Sequence, residues 1–336
     1  MAFYCGIDLH SNNHVVVVID DDDQRVYERR LNNDLALTLV ALAPYKSELI
    51  GVAVESTFNW YWLVDGLQAE GYPMQLVNTT AVQQYSGLKY TDDRYDAYWL
   101  AHLMRLKILP TGYIYPKELR GTRDLLRRRM FLMQTASKQL ISVQSQIWRQ
   151  TGVKISSSKL KKESFVVDLP GDMERKAAEA GLSVYRSIHT ELEKIESELL
   201  KAVKPRADYK VLTSIPGVGE VLGMTIALET GNIQRFAEVG DYASYCRCVK
   251  SERVSNAKKK GEGNAKSGNK YLSWAFSEAA HFAVRYEPLA KRFFERKLRK
   301  TNGIVAIRAV AHKLARAAYY MMRNNTTFDA HKLFAN

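Results

Sequence analysis

Four carboxylates stand where they can share one task. Asp8 closes the apolar run of residues 3–7 in Gly-Ile-Asp-Leu-His, and Glu55 closes the run of residues 49–54 in Val-Ala-Val-Glu-Ser-Thr. Such runs form strands buried in a sheet, and neighbouring strands bring both acids to one rim. Asp93 and Asp96 lie three residues apart, the spacing that puts both on one face of a helix capped near Thr91. Carboxylates at a buried rim are costly unless positive charge compensates them, and a divalent cation with oxygen ligands does so. Two Mg²⁺ ions held in this way activate an attacking oxygen and stabilise the leaving oxygen of a phosphodiester, the chemistry of enzymes that cut nucleic acid. Singly, each acid reads as a strand-end turn or a helix-start residue complementing the dipole; the conjunction is more specific. The run Asp20-Asp21-Asp22-Asp23 falls at an expected hairpin tip and reads as solvated. His10, His14, His102, His189, His281, His312 and His331 show no metal-ligand spacing.

A second constellation is basic. Ser214-Ile215-Pro216-Gly217-Val218-Gly219, followed by an apolar run, resembles a helix-hairpin-helix turn in which Gly217 and Gly219 let backbone N–H groups approach a phosphate. An ordinary tight turn between helices uses the same glycines. Residues 250–270 carry Lys250, Arg253, Lys258, Lys259, Lys260, Lys266 and Lys270 among glycines and Ser251, Ser255 and Ser267. The segment reads as a flexible cationic loop whose lysines neutralise phosphates and whose field favours a serine alkoxide attacking phosphorus. Composition does not choose among the three serines. Arg120, Arg123, Arg127, Arg128 and Arg129 form a row for phosphate contact, since apolar burial does not explain them. The aromatics of this half, Trp148, Tyr242, Tyr245, Tyr271, Trp274, Phe276, Tyr319 and Tyr320, suit core packing better than base stacking.

The elements that position these residues follow from periodicity. Residues 3–7, 14–19 and 25–31 read as three antiparallel strands, followed by a helix over 34–45, a strand over 49–54, a helix over 60–70 and a strand over 73–77. A meander continued by parallel α/β units is the ribonuclease-H-like arrangement. Residues 117–150 read as one long helix after Pro116, a polar loop spans 152–172, and a second long helix ends near Val203. Within it, Tyr185, Ile188, Leu192, Ile195 and Leu199 form the narrow seam of a coiled coil, suited to an intrachain hairpin or to a dimer. Three closing helical patterns are separated around Pro288 and Gly303. The expected division is 1–112 for the acidic α/β domain, 113–205 for the helical region and 206–336 for an all-α domain carrying the basic segment.

The charge follows this division. The net charge of +13 is made of about −6 over residues 1–115 and +19 over the rest, so an acidic part suited to cations precedes a basic part suited to a polyanion. With 336 residues and 46% hydrophobic composition the chain is no disulfide mini-scaffold, and no apolar run reaches a membrane span. The N-terminus lacks signal-peptide features, so the protein is expected to stay in the cytosol. Cys5, Cys246 and Cys248 make neither a disulfide framework nor a zinc site.

Gly6-Ile7-Asp8, Val54-Glu55-Ser56-Thr57, Asp93-x-x-Asp96-Ala97, Ile215-Pro216-Gly217-Val218-Gly219 and Gly268-Asn269-Lys270-Tyr271-Leu272, in this order, resemble the motifs of the insertion-sequence one-ten (IS one-ten) transposases, including the subgroup called eleven-eleven. The resemblance spans nearly the whole chain and implies a RuvC-like DEDD domain in which Asp8, Glu55, Asp93 and Asp96 hold Mg²⁺. It also implies a C-terminal transposase domain with a serine nucleophile between its two motifs. Ser255 falls at the family's position. The family often has Ser-Gly there, where this chain has Ser255-Asn256, which leaves Ser251 as the alternative. The resemblance further implies a structured noncoding guide RNA encoded by the element, double-stranded donor and target DNA, and dimers pairing into tetramers in which one subunit's serine completes another's acidic site. A RuvC-like nuclease or junction resolvase using water is the competing enzyme, and a catalytically idle nucleic-acid-binding protein the competing non-enzyme.

Overall fold

Valine and isoleucine dominate the first two strands because β-branched side chains fit a pleated surface packed on both sides. In the computed structural model, which describes residues 1–82, 92–162, 164–250, 253–261 and 267–335, the chain divides into two compact units, Met1–Lys117 and Glu118–Asn336. The long helices and the closing helices, separate regions in the sequence reading, fall in the same unit. Thr91, Ser251 and Lys266 lie outside the described residues.

The first unit is a mixed sheet built from β1 (Phe3–Leu9), β2 (Asn13–Ile19), β3 (Arg25–Asn32), β4 (Leu49–Glu55) and β5 (Met74–Val77), in the order β3-β2-β1-β4-β5. The first three strands are antiparallel; β1, β4 and β5 are parallel. Helices α1 (Leu35–Leu42) and α2 (Tyr61–Ala69) cover one face and α3 (Asp93–Arg105) the other. Residues 15–19 are consequently buried throughout, with no alternation. Asp34 caps α1 by accepting from the amides of Ala36 and Leu37. His14 is fully buried and bridges Asn33 and Thr38 at 3.0 Å each, so it serves the core.

Gly6 decides how closely α3 approaches the sheet. A Cβ there would lie 1.9 Å from the carbonyl oxygen of Ala97 and 2.9 Å from the amide of Ala101. Backbone cannot yield as a flexible side chain does. Gly6→Ala is therefore expected to lower the stability of this unit by about 1–3 kcal/mol or more, measured as a fall in the urea midpoint.

The aspartate run is a latch as well as a tip, which corrects the solvated reading. Asp20 is 5% exposed and accepts from the amides of Asp22 and Gln24, closing the turn. Asp23, with φ +66°, accepts from Tyr98 Oη and His102 Nδ1, both 2.9 Å away, and from Arg105 Nε at 3.2 Å. This joins the β2–β3 turn to α3.

The second unit begins with α4 (Lys117–Thr151), a short α5 (Ser157–Leu160) and α6 (Asp172–Val203). Helices α4 and α6 run antiparallel: Gln146 donates to the carbonyl of Glu174, Gly181 faces Val143, and Arg129 pairs with Glu196 at 2.6 Å. The predicted seam is used within this chain. Tyr185 packs with Leu140 and Val143, whereas Leu199 joins the core of the closing helices. That core contains α7 (Ala207–Leu212), α8 (Glu220–Thr230), α9 (Val239–Tyr245), α10 (Lys270–Tyr286), α11 (Pro288–Leu298), α12 (Gly303–Asn324) and α13 (Ala330–Phe334). Between α9 and α10 stands a hairpin of β6 (Arg253–Ser255) and β7 (Lys258–Gly261). The aromatics divide: Tyr242, Phe276 and Tyr319 are core residues, while Trp148 and Tyr320 are about half exposed. Among the described residues no helix is long and apolar enough to cross a membrane.

Candidate active site

Strand alternation and parallel register bring the first two acids together. Ile7 pairs with Val54, so Asp8 and Glu55 occupy the next position on adjacent strands. Gly6 lies against Ala97, and Ala53 packs with Leu100; Asp8 and Glu55, two residues further along their strands, therefore share the α3 face. Asp92, rather than Thr91, caps α3 by accepting from the amide of Tyr95 at 2.9 Å. That cap puts Asp93 and Asp96 in the first turn, at the same end of the sheet face.

The environment is short of positive charge. Asp8 is 5% exposed, and burial, reinforced by Asp93 and Asp96, raises its carboxyl to about 6 despite His10 and Arg30. Burial and the charges of Asp8 and Asp96 raise Glu55 to about 7. Asp8 registers the charges of Asp93 and Asp96, and Glu55 those of Asp8 and Asp96, which ties the four acids into one electrostatic cluster. Asp93 moves the other way, held low chiefly by its hydrogen bond from Arg30 Nη2 at 2.5 Å. His10 Nε2 lies 3.1 Å from Asp8 Oδ2 and 3.3 Å from Asp93 Oδ2, and ligand atoms of these three residues lie within 4.8 Å of one another. Reading the histidines as free of any metal-ligand arrangement missed His10. The available signal was its place two residues beyond Asp8, the strand period that returns a side chain to the same face. Arg30 was missed because only the pairing of β2 with β3 brings it near.

This donor set fits a divalent cation. Carboxylate oxygens are the ligands of hard ions, and the upward shifts of Asp8 and Glu55 reflect burial first and mutual repulsion second, both of which such an ion offsets. Raised carboxyls favour the folded state while neutral: their contribution is complete below about pH 4 and is lost as pH rises through about 6 and 7. We expect the metal-free protein's melting temperature to fall between about pH 5 and pH 8, and Mg²⁺ to restore it at the upper end only, as read in paired melts with chelator and with Mg²⁺. Equal effects of Mg²⁺ at both ends would contradict this.

The basic constellation lies in the second unit. Ser255 is exposed and pairs across the hairpin with Lys258. Asn256 and Ala257 form its two-residue turn at φ +51° and +57°, a mirror-image geometry suited to asparagine or glycine, which explains Asn256 physically. Ala257 there costs about 1–2 kcal/mol. The expected flexible loop thus contains an ordered hairpin, with Lys258 and Lys260 exposed. Gly217, at φ +86°, touches α10: a Cβ there would lie 2.3 Å from Phe282 Cβ. Gly219 opens α8 with nothing near the position of a Cβ.

The arginine row is not one open face, contrary to the argument from burial. Arg120 is 4% exposed, and Arg123 is half-buried. Arg127 makes a two-pronged contact with the buried Glu229, at 2.7 and 2.8 Å; Arg128 is exposed. Charge pairing inside the unit accounts for Arg127 and Arg129. The cysteines are free, and burial pushes the Cys248 thiol up to about 12, which makes it a poor nucleophile.

Both constellations lie in segments that match known family models. Residues 5–148 match the IS110-type DEDD model, described as "Transposase", and residues 209–295 match the model described as "Transposase IS116/IS110/IS902 family". The chain belongs to the IS110 transposase family. The first match contains all four acids, and the second contains Gly217, Gly219 and the Ser255 hairpin. The "Insertion element IS110 uncharacterized 43.6 kDa protein" of Streptomyces coelicolor is 21% identical over 145 residues, 43% of this chain. The match spans 36% of that relative's length.

Proposed function

We propose that the protein is a DNA transposase and recombinase that cuts and rejoins strands through a serine ester. The reading rests chiefly on the convergence of Asp8, Glu55, Asp93 and Asp96 at one end of a sheet face, in a family-matched chain that also presents Ser255 on a lysine-rich hairpin. The sheet order β3-β2-β1-β4-β5 supports a RuvC-like fold for the acidic unit. In the proposed functional division, residues 1–112 carry the acids, 113–205 the helical connection and 206–336 the serine.

Ser255 Oγ attacks a DNA phosphorus; the bond to one strand oxygen breaks, that oxygen takes a proton, and a phosphoserine ester forms. Attack by the hydroxyl of the incoming strand reverses these bonds and reseals the backbone without ATP. Asp8, Glu55, Asp93 and Asp96 would hold Mg²⁺, which supplies Lewis-acid stabilisation of charge on the phosphoryl oxygens. His10 and Arg30 orient Asp93. Lys258, Lys259, Lys260, Lys266 and Arg128 contact the backbone, Gly217 and Gly219 shape the turn beneath it, and Arg123 lies beside the row. Arg120 and Arg127 act from within the fold.

Acids and serine belong to different compact units, and in our reading the serine of one subunit completes the acidic site of another within a dimer or tetramer. Sequence choice is delegated to an element-encoded noncoding RNA pairing with donor and target DNA, as in the eleven-eleven subgroup, so the protein reads mainly backbone and shape. The work takes place in the cytosol. Sequencing the RNA that copurifies with the protein tests the guided reading: one discrete structured species is expected, and only random cellular RNA would contradict it.

A further inference from the structure

Glu229 is out of place by the ordinary rules of burial. Its side chain is 1% exposed in the last turn of α8, where the helix dipole disfavours negative charge, and the turns before it are buried on every side. A buried carboxylate persists when its oxygens are fully engaged, and these are. Oε1 accepts from Arg127 Nε at 2.7 Å; Oε2 accepts from Arg127 Nη2 and from Asn269 Nδ2, each at 2.8 Å.

Asn269 has no spare polar atom on its donor and cap sides. Its Oδ1 caps α10 by accepting from the amides of Tyr271 and Leu272, and its own amide donates to the carbonyl of Tyr245 at 2.6 Å. The acceptor must therefore face the helix and the donor must face Glu229. Arg247, at φ +55°, crosses the same gap: Nε donates to the carbonyl of Ser267 at 3.1 Å, and Nη2 to that of Gly268 at 2.9 Å. Gly268 has φ +90°, and a Cβ on it would lie 2.6 Å from the carbonyl oxygen of Tyr245. From α12, Arg308 donates to the carbonyl of Arg247 at 2.7 Å. Both legs of the Ser255 segment are thus tied where they leave the helices, residues 245–247 on the way out and 267–269 on the way back.

We infer that Glu229 is a positioning residue, which through Asn269 fixes the polar collar from which the Ser255 hairpin projects. The inference rests on the reading of Ser255 as nucleophile. Four residues lead from Cys248 to the hairpin and six return from it to Gly268, so a collar that loosens lets the hydroxyl wander from its line of attack. Catalysis is sensitive to such misplacement.

The test exchanges the two ends of one hydrogen bond. Asn269→Asp sets a second carboxylate against Glu229, and the amide of Glu229→Gln turns a donor toward either Arg127 or Asn269; the double variant Glu229→Gln/Asn269→Asp gives the carboxylate at position 269 a donor again, although Arg127 Nη2 then faces the same amide nitrogen. The full chain, with its copurified RNA and a plasmid bearing the element's joined ends, is assayed for the rate of covalent adduct formation and the DNA concentration giving half-maximal rate. Hydrogen exchange of residues 253–261 is followed in parallel. Each single variant is expected to lower the adduct rate at least tenfold and to speed hairpin exchange, with half-saturation unchanged; the double variant should recover both at least threefold relative to Asn269→Asp. Parent-like adduct rates and exchange in the singles, or a double variant no better than Asn269→Asp, would overturn the positioning role. If Ser255→Ala still forms the adduct, the nucleophile reading fails, and with it the catalytic half of the inference, while the exchange data judge the collar alone.

Discussion

Ser255→Ala is expected to lower strand joining by about ten-thousand-fold or more, the scale on which removing a covalent nucleophile acts. The substitution deletes one exposed oxygen from a hairpin whose pairing is made by backbone, so the turn at Asn256 and Ala257 and the exposed Lys258 and Lys260 persist. DNA binding should change less than threefold, with the same dependence on salt, because the phosphate-neutralising charge is intact. A gel assay of joined product and a binding titration at two salt concentrations read these separately. A water-using nuclease with the same acids would leave Ser255→Ala cutting at the parent rate, and that result would move the function to the competing enzyme.

Asp8→Asn and Glu55→Gln should each lower joining by about a thousand-fold, equivalent to about 4 kcal/mol of transition-state stabilisation supplied through the cation they hold. The two changes remove charge from positions where burial already opposes it. The same variants are therefore expected to raise the melting temperature of the metal-free protein near pH 8, while weakening its response to Mg²⁺. Loss of function accompanied by gain of stability separates a ligand site from a packing site. Melts with chelator and with Mg²⁺, set beside joining rates, make the comparison. In an idle nucleic-acid-binding protein the two changes would leave nucleic-acid binding and the response to Mg²⁺ as they are in the parent.

Much of the acidic site was legible because its signals are local. Apolar runs closing on Asp8 and Glu55 declare strand ends, and the three-residue spacing of Asp93 and Asp96 declares a shared helix face. The five strands follow from the same periodicities, whereas their order in the sheet comes from the structure. Long-range contacts are what the chain conceals. Arg30 reaches Asp93 across 63 positions of sequence, and no spacing rule encodes such a meeting. Asp23 looked like a solvated tip because its partners lie on α3. Arg127 looked like a phosphate ligand because Glu229, its buried partner, lies 102 residues away. The hairpin at Ser255 was hidden for a different reason: lysine-rich composition resembles a solvated loop, and Ala257 is a poor advertisement for a left-handed turn. The seam at Tyr185–Leu199 fitted two destinations equally, and intrachain packing against α4 and the closing helices takes it up.

The most direct measurement is the identity of the atom that carries DNA during the reaction. Adducts quenched in denaturant, digested and sequenced by mass spectrometry should place a nucleotide phosphate on Ser255, and only when Mg²⁺ and both Asp8 and Glu55 are present. A phosphate on Ser251 or any other side chain, or full joining with no protein-linked DNA at any time point, would contradict the account.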